Sequence, residues 1–276
     1  MSPIGVFDSG YGGLTILREI RRLLPEYDFV YLGDNARAPY GNRSFDVVYN
    51  FTREAVKTLF DMGCPLVILA CNTASAKALR TIQQHDLPLW DAERRVLGVI
   101  RPTAEVIGQL SQSRHVGVVA TPGTILSESY RLEINKLYPD IVVNAHACPM
   151  WVPLVENSET ESLGADYFVK KDIDALFAMD AMIDTVILGC THYPLLLDKI
   201  RKYVPQGTTI IPQGEYVATS LCDYLHRHPE MDTRLTKNGE CRYFTTENAD
   251  KFGKTARMFL DEDIQVEHLS SLGNKP

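Results

Sequence analysis

The sequence predicts an α/β protein with two pseudo-symmetric domains, each a mostly parallel sheet flanked by helices. Strand-like and helix-like segments alternate throughout the 276 residues. An apolar run that ends in a cysteine occurs twice, as VILACNT at residues 67–73 and as VILGCTH at residues 186–192. Residues 5–10 and 117–122 form a second repeat, in which an apolar strand leads into small or polar residues. Because ligands bind beyond the carboxyl ends of parallel strands, the repeats indicate one cleft with a cysteine on each side.

Eight strands are predicted from short runs rich in Val, Ile and Leu. They cover residues 4–7, 29–32, 66–70, 96–99, 115–120, 141–145, 185–189 and 209–211. Apolar residues at helical spacing predict helices between the strands. The first helix is marked by Leu14, Leu17, Ile20, Leu23 and Leu24, and the second by Phe45, Val48, Phe51, Ala55 and Leu59. A later helix is marked by Ile125, Tyr130, Ile134 and Leu137. We place crossings between the halves near residues 88–102 and 205–212. The first domain then comprises residues 1–97 plus 211–276, and the second residues 98–210.

Charge and hydropathy argue against two classes of protein. The net charge is −7 and no run of Lys or Arg is present, which argues against a general nucleic-acid surface. No apolar stretch approaches the ~20 residues that a membrane helix needs. The first residues enter a strand directly and show no signal-peptide pattern. We therefore expect a cytoplasmic protein whose six cysteines stay reduced.

The spacing of the cysteines does not predict a metal site. There is no C-x-x-C pair, and Cys190-x-His192 has poor spacing for structural zinc. A metal site is therefore not expected. The cysteines outside the repeated run are interpreted as small packing residues, the usual role of free cysteine: Cys64, Cys148, Cys222 and Cys241.

Two loops follow the first two strands. Asp8-Ser9-Gly10-x-Gly12-Gly13 is a glycine-rich turn that precedes a helix, but it lacks the lysine of a P-loop and departs from G-x-G-x-x-G. An aspartate at its mouth would repel phosphate, so Asp8 is either a catalytic or amine-binding carboxylate or a simple helix cap. In the loop of residues 34–41, Pro39 and Gly41 fix a turn that presents Tyr40. Alone, that loop is interpreted as an ordinary strand-to-helix connection.

The two cysteine motifs carry the clearest chemistry. Each cysteine is expected close to a helix N-terminus, whose dipole favours a thiolate, while Asn72, Thr73 and Thr191 offer donors to a carboxylate. The alternative is two buried cysteines that end core strands. His192 is a candidate base, proton shuttle or cap. Glu156 is either a buried acid or, as the residues alone favour, part of a solvated helix start.

Three mechanisms fit a cleft with two thiols. One thiolate can remove a proton from carbon while the other thiol returns one from the opposite face. A cysteine nucleophile with a histidine can hydrolyse an amide, although that leaves the second cysteine unexplained. A redox or thiol-binding protein without turnover is the third, and the missing C-x-x-C pair counts against it.

Four segments together resemble the signature set of the glutamate racemase family. They are Asp8-Ser9-Gly10-x-Gly12-Gly13, Asp34-x-Ala36-Arg37-Ala38-Pro39-Tyr40-Gly41, Ala70-Cys71-Asn72-Thr73-Ala74-Ser75 and Gly189-Cys190-Thr191-His192-Tyr193-Pro194. The similarity continues through residues 151–156 to residues 243–260, and so covers nearly the whole chain. Aspartate and hydantoin racemases share the two-cysteine plan, but the second and fourth segments look more like the glutamate enzyme.

The resemblance implies a cofactor-independent enzyme that interconverts L- and D-glutamate between two pseudo-symmetric domains and supplies D-glutamate for peptidoglycan. It implies that Cys71 acts on D-glutamate with Asp8, and that Cys190 acts on L-glutamate with Glu156 and His192. The implied substrate ligands are Asp8, Ser9, Pro39, Tyr40, Gly41, Asn72, Thr73, Thr121, Thr191 and His192. Of these, Thr121 is followed by Pro122 and Gly123, which are expected to alter its loop.

Two expectations concern partners and regulation. We expect a homodimer whose small-molecule partner is glutamate. The printed sequence starts at its first strand, whereas family members that a cell-wall precursor activates tend to carry an N-terminal extension. We therefore expect no such activation. An aspartate racemase or a cysteine-dependent amide hydrolase is the alternative function.

Overall fold

The computed structural model describes residues 2–270 and 272 as alternating strands and helices. The strands are β1 (Ile4–Asp8), β2 (Phe29–Gly33), β3 (Leu66–Leu69), β4 (Arg95–Gly98), β5 (His115–Ala120), β6 (Val142–Ala147), β7 (Thr185–Gly189), β8 (Thr209–Pro212), β9 (Cys241–Thr245) and β10 (Val266–His268). The helices are α1 (Gly13–Leu23), α2 (Phe45–Asp61), α3 (Asn72–Lys77), α4 (Leu79–Thr81), α5 (Leu87–Trp90), α6 (Ile100–Leu110), α7 (Pro122–Leu126), α8 (Ser129–Leu137), α9 (Trp151–Glu156), α10 (Leu163–Met179), α11 (Leu197–Tyr203), α12 (Gly214–Arg227), α13 (Pro229–Asp232) and α14 (Ala249–Leu260). Two 3₁₀ helices, Asn35–Arg37 and Tyr193–Leu196, and a π-helical segment, Ile82–Asp86, lie between them.

The two sheets repeat one strand order. The first sheet has the order β10-β9-β2-β1-β3-β4 and the second the order β6-β5-β7-β8. All strand pairs of the described residues are parallel. The segment β2-β1-β3-β4 therefore corresponds to β6-β5-β7-β8, with β1 equivalent to β5 and β3 equivalent to β7. The sequence repeats relate the same strands, and the predicted α/β fold with two parallel sheets is confirmed.

The predicted strands are all present, with small differences at their ends. The bounds of β5 and β7 match the prediction, whereas β4 begins and ends one residue earlier and β6 covers residues 142–147 rather than 141–145. The sequence analysis missed β9 and β10. Both lie towards one edge of the first sheet, and β10 is largely exposed. Their sequences CRYFT and VEH contain charged residues and no continuous apolar run, the pattern on which the prediction relied.

The boundaries of the domains stay a prediction. The first sheet takes its strands from residues 4–98 and 241–268, and the second from residues 115–212. The predicted border between residues 210 and 211 falls within β8. The helix that follows, α12, packs against α1. The chain therefore passes from the second sheet to a helix that contacts the first half.

Short connections hold the glycine-rich turn and the Cys71 segment in place. Helix α1 begins directly after the glycine-rich turn and buries Leu14, Leu17 and Ile20 in the core. Helix α3 begins directly after Cys71, whose side chain caps it. Buried apolar strands and helices thus fix both segments at the carboxyl edge of the first sheet. Among residues 2–270 and 272, no helix has the length and the hydropathy that crossing a membrane requires.

Candidate active site

The two cysteine motifs meet at a cavity of about 100 Å³. Cys71 follows β3 of the first sheet and Cys190 follows β7 of the second, so the thiols reach the cavity from different sheets. This is the edge at which parallel sheets bind ligands. All predicted site residues except Asp8 line the cavity: Ser9, Pro39, Tyr40, Gly41, Cys71, Asn72, Thr73, Thr121, Glu156, Cys190, Thr191 and His192.

Cys71 is a buried thiol with two weak polar neighbours. Its Sγ accepts the backbone N–H of Ala74 at 3.4 Å and lies 3.4 Å from the Ser9 hydroxyl. Burial raises the pKa of Cys71 to about 12, and the nearby Asp8 carboxyl adds to the rise. The hydrogen bonds from Ser9 and Ala74 act in the opposite direction. The helix end therefore favours a thiolate, as the sequence predicts, but burial outweighs it and Cys71 is protonated at neutral pH.

Asp8 ends β1 directly before Ser9 and Gly10, which line the cavity. It is 1% exposed, and its Oδ2 accepts the backbone N–H of Gly10 at 2.9 Å. Its Oδ1 is buried and has no hydrogen-bond partner in the described part of the chain. Burial raises the pKa of the Asp8 carboxyl, while the charge of His192 and the backbone amides of the turn lower it less strongly. An unpaired buried oxygen at this position is suited to accept a hydrogen bond from an ammonium group.

Cys190, His192 and Glu156 form a chain of polar contacts on the other side. Cys190 Sγ lies 3.9 Å from His192 Nδ1, and His192 Nε2 lies 2.9 Å from Glu156 Oε1. Burial alone would lower the pKa of His192, but its hydrogen bonds to Cys190 and Glu156 outweigh burial and raise that pKa to about 10. A protonated His192 donates from both ring nitrogens and stabilises negative charge on the Cys190 sulfur.

The same contacts bear on two of the structural roles considered for His192 and Glu156. His192 makes no side-chain capping hydrogen bond to the 3₁₀ helix that it precedes. Its raised pKa favours the imidazolium form of His192 at neutral pH. Glu156 ends α9 and binds His192, so the interpretation of Glu156 as part of a solvated helix start is wrong.

Thr73 and Thr121 line the cavity from different sheets, and a third threonine, Thr124, lies against both of them. Thr73 Oγ1 lies 3.0 Å from Thr121 Oγ1 and 3.3 Å from Thr124 Oγ1. Thr121 caps α7, and Pro122 occupies the first turn of that helix, where proline is well tolerated. Pro122 and Gly123 therefore leave Thr121 at the cavity. The sequence analysis missed Thr124, although its position three residues after a capping threonine was a usable signal.

The loop of residues 34–41 is fixed by a buried carboxylate. The Tyr40 hydroxyl donates to Asp34, and Arg37 Nε donates to the same Oδ2 at 2.7 Å. Tyr40 is 1% exposed and its hydroxyl is thereby committed within the protein. Gly41 packs against Thr121, where an added Cβ would lie 3.0 Å from the threonine Cβ. The loop thus brings the backbone of Tyr40 and Gly41, rather than the phenol hydroxyl, to the cavity.

A buried amide network that the sequence analysis missed supports Asn72. Asn72 Nδ2 donates to Gln213 Oε1 at 2.7 Å, and the Tyr130 hydroxyl donates to Asn72 Oδ1 at 2.6 Å. Gln213 Nε2 in turn donates to Thr103 Oγ1 at 2.9 Å and to the Tyr130 oxygen at 2.5 Å. Both polar atoms of the Asn72 side chain are therefore bonded within the protein, and these hydrogen bonds hold Asn72 in position beside Cys71.

A second close Cys/His pair, His146-Ala147-Cys148, was also overlooked in the sequence. With Asp172 it forms the one group of three potential metal ligands found within residues 2–270 and 272. Cys190, His192 and Glu156 do not form such a compact group in the described residues. The six cysteines are free thiols.

The chain is similar in sequence and fold to known proteins. Residues 4–219 match the sequence profile of the family described as Asp/Glu/Hydantoin racemase. A glutamate racemase of Ruegeria sp. is 40% identical over 274 residues, which cover 96% of this chain and 98% of that protein. A glutamate racemase of Streptococcus uberis is 39% identical, with 96% and 97% covered. The crystal structure of glutamate racemase isoform RacE1 from Bacillus anthracis is similar with a TM-score of 0.90 and 36% identity, covering 99% of each chain. Glutamate racemase from Francisella tularensis in complex with D-glutamate gives a TM-score of 0.86 and 33% identity, covering 97% of each chain.

Proposed function

Because this chain belongs to the glutamate racemase family, a family of amino acid isomerases, we propose that Cys71 and Cys190 exchange the α-proton of glutamate between its two faces. The observation that carries this proposal is the approach of the two thiols to one cavity from different sheets. A single nucleophilic cysteine, as in amide hydrolysis, would leave the second thiol without a role.

In the direction from L- to D-glutamate, the Cys190 thiolate removes the α-proton. The electron pair of the broken C–H bond stays on carbon, which then takes the Cys71 proton from the other face. Cys190 ends as a thiol and Cys71 as a thiolate, so the reverse reaction starts from the products of the forward one. The raised pKa of Cys71, about 12, supports its role as the proton donor in this direction. A protonated His192, 3.9 Å from Cys190 Sγ, supports the thiolate there.

Neutral donors are proposed to hold the substrate. No Lys or Arg is among the described residues that line the cavity, so hydroxyls and backbone N–H groups must bind the two carboxylates of glutamate. Thr73, Thr121 and Thr191 supply hydroxyls, and the loop at Tyr40 and Gly41 supplies backbone N–H groups. The unpaired Oδ1 of Asp8 is the proposed partner of the substrate ammonium. Fixed donors of this kind stabilise negative charge that develops at the α-carbon.

The biological setting remains part of the proposal. We propose that the product D-glutamate enters peptidoglycan, that the protein acts in the cytoplasm and that it forms a homodimer. The family relationship supports the first two, and sedimentation equilibrium measures the third directly. A monomer at micromolar concentration would contradict the homodimer.

The test is α-proton exchange in D₂O, followed by proton NMR and chiral chromatography, with no cofactor added. We expect both enantiomers to lose their α-proton signal and to interconvert, and we expect Cys71→Ser and Cys190→Ser each to reduce racemisation by at least about 100-fold, in the range typical for loss of an acid–base group. Cys222→Ser is the control, because Cys222 lies outside the cavity lining. Full activity in either cavity variant would refute the two-base mechanism. Faster exchange of aspartate, or ammonia release from glutamine, would support one of the alternative functions.

A further inference from the structure

His146, Cys148 and Asp172 bring three potential metal ligands together outside the residues assigned to racemisation. His146 belongs to β6, Cys148 follows that strand, and Asp172 lies in α10. Their ligand atoms all lie within 4.8 Å of one another, and His146 Nε2 is 3.3 Å from Asp172 Oδ1. In the part of the chain that the structure describes, no other group of three His, Cys, Asp or Glu side chains is as compact.

We propose that this group binds a thiophilic divalent cation, with Zn²⁺ as the best fit. Zn²⁺ prefers cysteine sulfur, histidine nitrogen and carboxylate oxygen at about 2.0–2.3 Å in a tetrahedron. Two atoms that each lie about 2.1 Å from such a metal are about 3.4 Å apart. The separation of 3.3 Å between the ring nitrogen and the carboxylate oxygen has this spacing. Cys148 also lines the cavity, from which a water can supply the fourth ligand.

The surroundings of the group keep its ligands in place. Cys148 is fully buried, its N–H donates to the Ala120 carbonyl at 2.9 Å, and its carbonyl accepts the Tyr193 hydroxyl at 3.1 Å. Asp172 is buried in the middle of a long helix. Before a cation binds, burial and the nearby Asp172 carboxyl hold Cys148 as a thiol by raising its pKa. Binding converts Cys148 to the thiolate, and its proton leaves to solvent.

The cysteine distinguishes this group from an ordinary histidine–aspartate pair. His115 and Asp180 form such a pair at the other end of the same sheet, with 2.6 Å between Nδ1 and Oδ2, but within the described residues no cysteine joins them. The site at Cys148 revises the expectation that the chain has no metal site, which rested on the spacing of cysteines and histidines along the sequence. The proposal does not depend on the racemase reaction, because it concerns binding alone.

The experiment is a competitive titration of Zn²⁺ against a chromophoric chelator, under reducing conditions and with the full chain. The Cys71→Ser/Cys190→Ser variant is used, so that the two cavity thiols cannot bind the ion. We expect one Zn²⁺ per chain with a Kd of about 1 μM or tighter. His146→Ala, a partly exposed position, should weaken binding at least about tenfold. His115→Ala is the matched control and should leave the affinity unchanged.

A second measurement identifies the sulfur ligand. Co²⁺ bound in place of Zn²⁺ should give a thiolate charge-transfer absorption and the visible bands of a tetrahedral ion. Both should disappear in a variant that also carries Cys148→Ser. Absence of tight binding in the double variant, or equal affinity after His146→Ala, would overturn the proposal. A cobalt spectrum without a thiolate band would overturn it too.

Discussion

Replacing Gln213 by leucine tests whether the buried amide network holds the Cys71 segment in place. The substitution keeps the approximate size of the side chain and removes its polar atoms. Tyr130 still donates to Asn72 Oδ1, and the Thr103 hydroxyl still donates to the Val99 carbonyl at 3.1 Å. The group left without its partner is Asn72 Nδ2, which loses Gln213 Oε1. One orphaned buried donor costs about 1–3 kcal/mol of the free energy of unfolding.

The same variant should lose activity. Asn72 directly follows Cys71. If the Asn72 side chain moves to reach another hydrogen-bond acceptor, it also displaces the neighbouring Cys71 thiol. A displacement of about 1 Å at reacting groups can reduce the rate by about 100-fold. We therefore expect kcat/KM for glutamate to fall by about 10- to 100-fold in Gln213→Leu. Urea denaturation measures the first quantity, and circular dichroism of glutamate follows racemisation for the second.

Ser111→Ala supplies a matched control for the loss of stability. The Ser111 hydroxyl donates to Asp184 and accepts the Arg114 N–H, so its removal also leaves one donor without a partner. These residues lie at the amino ends of β5 and β7, at the edge of the sheet opposite the cavity. Ser111→Ala should lose stability and keep its activity. Wild-type activity in Gln213→Leu, at an equal loss of stability, would refute a positioning role for the network.

Two further predictions concern the residues around Cys190. A Cβ added at Gly12 would lie 2.1 Å from Thr191 Oγ1 and 2.4 Å from His192 Nδ1, so Gly12→Ala should reduce kcat/KM by about 100-fold or more. Gly164→Ala, where the new Cβ would lie 3.4 Å from Ser162 Oγ at ordinary van der Waals distance, should retain activity. Equal activity of the two variants would contradict the crowding argument. The pKa of His192 is about 10 in the folded protein, above the ~6.5 of an unfolded histidine. Its contribution to stability is complete below pH 6.5 and is lost as the pH rises through 10. The free energy of unfolding, measured with urea between pH 6 and about 10, should therefore fall less steeply with pH in His192→Asn than in the wild type. An equal pH dependence of the unfolding free energy in the two proteins would show that protonation of His192 does not contribute to stability.

The repeated apolar runs predicted the parts of the fold that carry the cysteines. Each run is a strand buried on both faces, and its composition alone distinguishes it from the amphipathic helices around it. The bounds of β7 were therefore predicted residue for residue. The edge strand β10 could not be found in the same way, because VEH is short, polar and exposed.

The site was harder to predict wherever its contacts join distant parts of the chain. Asn72 and Gln213 are 141 positions apart, and nothing local marks either as a member of a network. Local composition also led to the wrong interpretation of Glu156, since its contact with His192 arises only when α9 packs against the 3₁₀ helix Tyr193–Leu196. The effect of burial on a pKa also depends on contacts that form only in the folded protein. The helix end beside Cys71 is visible in the sequence, but the burial that raises the pKa of this thiol is a property of the folded cavity.

The two halves share a strand order, but different groups surround their cysteines. β1 ends in Asp8, whereas the equivalent strand β5 ends in Ala120, and an imidazole and a carboxyl group stand beside Cys190 instead. Mirror-image substrates have equal free energies in water, and for racemisation both directions cross the same highest barrier. The value of kcat/KM must then be identical for the two enantiomers. The unequal surroundings can therefore give the two enantiomers different KM values only if their kcat values differ by the same factor. The enantiomer with the lower KM is then the one that is converted more slowly at saturation.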